Sequence, residues 1–199
     1  MRNPTTRLKL KLLDPAQRGS IIAGMMLAPM PTLTGVVLQI PNGRAGVQAT
    51  VQAMRQLVDQ AKVDPAIRQA AQSVVFLQPE KDYLAEAEAL FNFVRDSIRY
   101  TRDVHGVETL QTPQITLATR MGDCDDQSTL LAAMLESVGI PTRFVVAGYN
   151  GHDFEHVYLQ AWCGDWIGMD ATEPHQMGWE PPQPTVIGYE DGTGGIASS

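Results

Sequence analysis

The sequence of 199 residues predicts an α+β domain in which a buried helix packs on a small antiparallel sheet. Two observations carry this expectation. A helix starting at Cys124 places Leu130, Leu131, Met134, Leu135 and Val138 on one face and Ala132 and Ala133 on much of the other. A helix apolar on nearly all sides is surrounded by protein. Behind it, Gly139 suits the left-handed position after a helix, Ile140 can fold back on the last turn, and Pro141 forbids continuation. Three runs with strand character follow, Thr142–Tyr149, His156–Trp162 and Trp166–Asp170, and the Cys163-Gly164-Asp165 turn makes a hairpin of the last two.

The preceding elements can be taken in order. Residues 1–43 lack helical periodicity, and within them Thr34–Ile40 reads as a strand closed by Pro41-Asn42-Gly43. From Arg44, apolar residues recur at three- and four-residue intervals (Val47, Val51, Met54, Leu57, Val58), which predicts an amphipathic helix. Asp64 as N-cap and Pro65 in the first turn start a second helix. A third follows Asp82 and is expected to bury Leu84, Ala87, Leu90, Phe91, Val94 and Ile98. Tyr100 to Met121 reads as a polar connection. Beyond Thr172 the chain is rich in Pro and Gly, and its ending reads as frayed.

Composition excludes several classes. An apolar fraction of 44% supports a core, and 19% charged residues is low for a disordered chain. Two distant cysteines make no disulfide framework. The fairly apolar stretch Ile21–Ile40 is interrupted by Gly24, Pro29, Pro31 and Gly35 and begins after Asp14-Pro15, so neither a spanning helix nor a signal peptide is expected. A formal net charge of −7 argues against nucleic acid as a partner. The charge is uneven. Arg2, Arg7, Lys9, Lys11 and Arg18 against Asp14 make the first eighteen residues net +4, leaving −11 for the rest. This asymmetry suggests a docking arm for an acidic surface.

Chemistry concentrates after residue 121. A thiol at a helix start meets unpaired N–H groups and the positive end of the helix dipole, and Cys124 has that placement. A nucleophile also needs a base, and the base needs a third group to fix its tautomer. His156 heads one strand and Asp170 ends its hairpin partner, so the two fall at one sheet edge facing the start of the helix. The Cys124 backbone N–H is the natural first donor to an oxyanion; Tyr100 is a weaker candidate for a second. Asp123, Asp125 and Asp126 pose a conflict, because negative charge suits a helix start and opposes a thiolate beside it. Asp126 is expected to pin the preceding loop through Arg120.

These residues resemble the transglutaminase-like superfamily, on three blocks in order: Gly122-Asp123-Cys124-Asp125-Asp126-Gln127-Ser128, Glu155-His156-Val157-Tyr158, and Trp166-Ile167-Gly168-Met169-Asp170-Ala171-Thr172. The resemblance runs from about Phe91 to Pro174. It implies a papain-like fold and acyl-enzyme chemistry, with Cys124 as nucleophile, His156 as base and Asp170 orienting the base. It does not fix the reaction, since members include cross-linkers, peptidases, amidases and inactive copies. Calcium dependence does not carry over, the chain being much shorter than the large calcium-activated cross-linkers. The helical residues 44–99 also resemble small transglutaminase-like proteins that tailed phages encode among their structural genes. The domain organisation expected is an arm and strand extension over 1–43, a helical segment plus catalytic core over 44–174, and a Pro/Gly-rich tail over 175–199.

A zinc site is the rival for the same atoms. Cys124, His152, His156 and Cys163 could supply four ligands, but no C-x₂-C knuckle exists and His152 lies in a Gly-rich loop. His105 and His175 carry no pattern, and Cys163 reads as a turn residue. The function expected is thiol-dependent cleavage or transfer at an amide bond of a protein or peptide, with hydrolysis favoured over cross-linking and with no metal or cofactor. The competing class is a structural or interaction protein, such as a phage component engaged through the basic arm, with an idle site. No membrane partner is expected, and the location implied is the cytoplasm of a bacterial host or the virion.

Overall fold

The computed structural model describes residues 44–102, 110–151, 154–190, 192 and 194–198. The expected N-terminal arm, the Thr34–Ile40 strand and its turn, His105 and His152 lie outside the described residues.

Helix α1 (Arg44–Ala61) buries Val51, Met54 and Val58 of the predicted stripe and also Ala61, while Val47 and Leu57 are partly buried. Helix α2 (Pro65–Val75) begins as expected, with the Asp64 carboxylate accepting the Ala66 and Ile67 N–H groups. Asp82 caps α3 (Tyr83–Ser97) through the Ala85 N–H, and Ala87, Leu90, Phe91 and Val94 are buried. Leu84, expected in that set, is in the first turn and stays half exposed where the helix overhangs the core.

The expected polar connection holds more structure than its composition suggests. Strand β1 (Arg99–Tyr100) pairs in parallel with β2 (Met121–Gly122), and α4 (Pro113–Thr119) lies between them. Seven residues are too few to display a helical period, and α4 ends abruptly at Arg120 in the left-handed region, φ 59°. Helix α5 (Cys124–Ser137) is buried from Asp126 to Leu135, as its all-round apolarity requires. It stops where Gly139, φ 90°, lets the Ile140 N–H return to the Leu135 carbonyl at 3.0 Å.

The sheet has five strands in the order β5-β4-β3-β6-β7, every neighbouring pair antiparallel. These are β3 (Thr142–Gly148), β4 (His156–Trp162), β5 (Trp166–Met169), β6 (Val186–Glu190) and β7 (Ile196–Ser198). Val157, Leu159 and Ala161 alternate inward from β4 onto the core that contains α5. The last two strands correct the expectation of a Pro/Gly-rich tail with a frayed end. The Pro-rich stretch around residues 181–184 hides a five-residue strand that the free edge of β3 takes up.

One ion cluster ties the two ends of this arrangement together. The Arg55 guanidinium of α1 donates to both oxygens of Glu190 on β6, at 2.6 and 2.7 Å, and to Glu136 near the end of α5. It also reaches the Thr142 carbonyl and lies over the Phe144 ring, 5.1 Å from its centroid. Glu190 accepts the Phe144 N–H as well. A planar fork meets both Glu190 oxygens and its other acceptors in fixed directions, a geometry that a lysine ammonium on a flexible stem does not reproduce. Arg55→Ala leaves the Glu190 carboxylate buried and unpaired, so we expect it to lower stability by about 3–5 kcal/mol in urea unfolding. Arg55→Lys should recover only part of that loss; full recovery would show that charge alone, without the fork, holds the cluster.

Candidate active site

The start of α5 is built by a reciprocal cap. Asp123 accepts the Asp125 and Asp126 N–H groups, both at 3.2 Å, and the Asp126 carboxylate accepts the Asp123 N–H at 3.4 Å. Asp126 is only 1% exposed and accepts two further bonds, from the Gln111 N–H at 2.8 Å and the Gln111 side-chain amide at 2.6 Å. The loop is therefore pinned, but through Gln111. Arg120, the expected partner, lies over the Phe93 ring at 4.9 Å. Gly122 is required here, since a Cβ at that position would stand 2.6 Å from the Asp126 Cβ. The Gln127 side chain donates to the Gly122 carbonyl at 3.1 Å.

Cys124 is the first residue of α5 and follows this cap. One turn later, the Ser128 hydroxyl donates to the Val157 carbonyl, which ties α5 to β4 next to His156. The β4–β5 register pairs Leu159 with Met169. Carried one step further it sets Asp170 opposite Tyr158, on the face that also carries His156. The His156 Nε2 and Asp170 Oδ2 are 2.6 Å apart. The other Asp170 oxygen accepts the Thr172 N–H at 3.1 Å and the Thr172 hydroxyl at 2.6 Å. In the neutral tautomer whose Nε2–H donates to this carboxylate, Nδ1 is the ring's acceptor.

Cys124 and His156 line one cleft of about 180 Å³, along with residues of α1. Burial, then the charges of Asp125 and Asp123, push the Cys124 thiol well above the usual cysteine range, and a backbone hydrogen bond from Val157 acts in the other direction. The Asp125 carboxylate is 3.4 Å from the Cys124 sulfur. In the expected conflict between helix start and acidic run, burial and the acids thus disfavour the thiolate. Tyr100 pairs with Gly122 across the short β1–β2 bridge, beside the segment leading into Cys124. Burial and then the neighbouring Cys124 and Asp123 raise its hydroxyl.

The other sequence-selected residues fall elsewhere. The Cys163 sulfur is 3.7 Å from the Tyr83 carbonyl, in the hairpin turn. His175 stacks on Trp179 with centroids 4.0 Å apart. Among the described residues no group of three or more His, Cys, Asp or Glu is placed to hold a metal ion, and no helix is long and apolar enough to cross a membrane. Sequence reasoning missed three contributors: Thr172 as holder of Asp170, Gln111 as holder of Asp126, and α1 as a wall of the cleft. Only Thr172 had a local signal, the Asp-x-Thr spacing that favours a side-chain turn.

The thiol's position predicts a gain on removing a neighbour. Asp125→Asn removes one upward push, so at pH 8 a larger fraction of Cys124 is thiolate. Iodoacetamide modification of Cys124, followed by mass spectrometry of the peptide, should then be roughly tenfold faster than in the parent. An unchanged rate would mean that burial and Asp123 set the thiol without Asp125.

Comparison with known proteins identifies the superfamily. Residues 68–171, slightly over half of the chain, match the family model for the transglutaminase-like superfamily. A candidate protease of Parabacteroides distasonis aligns with a TM-score of 0.56 at 12% identity, over 79% of this chain and 34% of that one. A candidate cysteine protease of Cytophaga hutchinsonii aligns at 0.45 with 21% identity, over 54% and 37%. LapG of Legionella pneumophila aligns at 0.46 with 17% identity, over 69% and 82%. The chain thus spans about a third of the first two proteins, and at these identities the likeness concerns the fold. No curated protein sequence matches. The cap at Cys124, the strand order behind it and the matched residues together place this chain in the transglutaminase-like superfamily.

Proposed function

We propose that the chain is a thiol acyl-transfer enzyme acting on an amide bond of a protein or peptide, with Cys124 as nucleophile, His156 as base and Asp170 orienting the base. The observation that carries this reading is the 2.6 Å contact of His156 Nε2 with buried Asp170, which leaves Nδ1 available in the cleft His156 shares with Cys124.

The proposed steps use that geometry. His156 Nδ1 takes the thiol proton as the sulfur attacks the carbonyl carbon, and the carbonyl π electrons move to oxygen. The Cys124 backbone N–H at the helix start stabilises that oxyanion, and Tyr100 is the neighbouring candidate for a second donor. His156 then gives the proton to the leaving amine, the C–N bond breaks, and a thioester remains. Water, deprotonated by His156, cleaves the thioester and restores the thiol. Hydrolysis is favoured over transfer because the cleft is small and water is always present.

A second reading has its own observation. The buried, acid-flanked thiol would suit a structural or interaction protein with an idle site. Turnover of a peptide-amide library decides between them, with an added primary amine measuring how the thioester partitions. Cys124→Ala should abolish turnover, and His156→Ala should lower it by several orders of magnitude. Asp170→Asn keeps the shape and loses the charge, so a loss of roughly 10- to 1000-fold is expected. Thr172→Val, which removes one of the two bonds that Thr172 gives Asp170, should cost less than roughly tenfold. Turnover that survives Cys124→Ala rules the mechanism out.

A further inference from the structure

The cleft beside Cys124 and His156 has a wall that lies outside the family-matched residues. Val47, Thr50, Val51 and Met54 of α1 line it, together with Val146 and Phe154. Val51 and Met54 are buried and form its depth, whereas Val47 and Phe154 are partly exposed. The Thr50 hydroxyl is engaged with the Gly46 carbonyl at 3.2 Å, so α1 presents mainly hydrocarbon to the cleft. Asp123, Asp125 and Glu155 line the same space and give it negative charge.

Size and chemistry together restrict what can enter. A dry cavity of about 150 Å³ holds one benzene ring. A cleft of about 180 Å³ therefore matches one aliphatic side chain or a small ring better than an indole. Hydrocarbon walls favour an apolar group, and three carboxylates disfavour a negative one. The wall is also rigid. Arg55, next to Met54 on α1, is clamped to Glu190 and Glu136, so α1 cannot retreat to enlarge the space.

We propose that α1 is the specificity wall of this site, admitting one uncharged aliphatic side chain of leucine or methionine size from the acyl partner and rejecting an acidic or bicyclic one. The inference rests on the reading of Cys124 as the attacking thiol. It is tested on the full chain with peptidyl vinyl sulfones that differ only in the residue next to the electrophile: Ala, Leu, Glu or Trp. Iodoacetamide, which has no side chain to place, serves as the reference reagent, and modification is scored at Cys124. Leu should react roughly 10- to 100-fold faster than Ala, with Glu and Trp slower than Ala. Val47→Phe, which fills the space, should collapse the Leu-over-Ala ratio. Val51→Ala, which enlarges it, should raise Trp relative to Leu, and this second variant keeps the test open if the first fails to fold. Equal rates for all four reagents at Cys124 would overturn the specificity wall and leave the thiol reading intact. No modification of Cys124 by any peptidyl reagent would overturn both.

Discussion

The Asp126 carboxylate is where the loop before the site helix, the helix itself and the end of β2 at Gly122 are joined. It is out of water, and a buried carboxylate without partners would be strongly destabilising. Three N–H donors hold it, two from Gln111 and one from Asp123. Bonds to an ionised acceptor are about twice as strong as neutral ones. The first turn of α5 therefore cannot slide or rotate without breaking several of them at once. Cys124 inherits that rigidity as the residue next to the cap, and Gly122 leaves just enough room for the arrangement to close. The Ser128–Val157 bond then transmits the position of α5 to β4, one residue from His156.

A second centre fixes the parts outside the family-matched stretch. Helix α1 precedes residue 68 and strand β6 follows residue 171, yet one guanidinium joins them through Arg55 and Glu190. Buried ion pairs are weak evidence for stability, because desolvation offsets much of the attraction. Their clearer effect here is geometric. Arg55 satisfies Glu190, Glu136 and the Thr142 carbonyl in one orientation, so α1 is set against α5 and the sheet in one register. A purely apolar contact between helix and sheet would permit several.

Much of this was legible in the chain. The caps at Asp64 and Asp82, the termination at Gly139-Ile140-Pro141, the buried character of α5 and the start of β4 at His156 all follow from local chemistry, and each appears as expected. The close approach of His156 and Asp170 was legible because a short turn fixes strand neighbours without knowledge of the rest. What failed was non-local or short. Helix α4 has too few residues to show a period, and β6 is a strand because β3 has a free edge to offer. The Asp126 partner was misplaced onto Arg120 because a loop glutamine carries no signal of where it will fold, whereas an arginine near an acid invites a charge pairing. The role of α1 in the cleft was invisible for the same reason: its apolar stripe reads identically whether it faces a core or a pocket.

The raised thiol has a consequence for the proposed chemistry. A thiol held above the usual range yields little thiolate at neutral pH, but a thiolate of higher basicity is also the better nucleophile, with a Brønsted slope of roughly 0.4–0.5. The gain in nucleophilicity is thus about half the loss in population. Such a site gains nothing from waiting for spontaneous ionisation. It gains when the proton is passed directly to a base as the sulfur attacks, since the thiolate charge then never has to stand alone beside Asp123 and Asp125. Those same carboxylates attract the imidazolium that forms across the cleft, and Asp170, which also accepts from Thr172, stabilises it from behind. Charges that oppose the nucleophile in the resting cleft therefore favour its partner during proton transfer. In the proposed mechanism the acidic run at the start of α5 serves the helix cap at all times and the reaction only while the proton is moving.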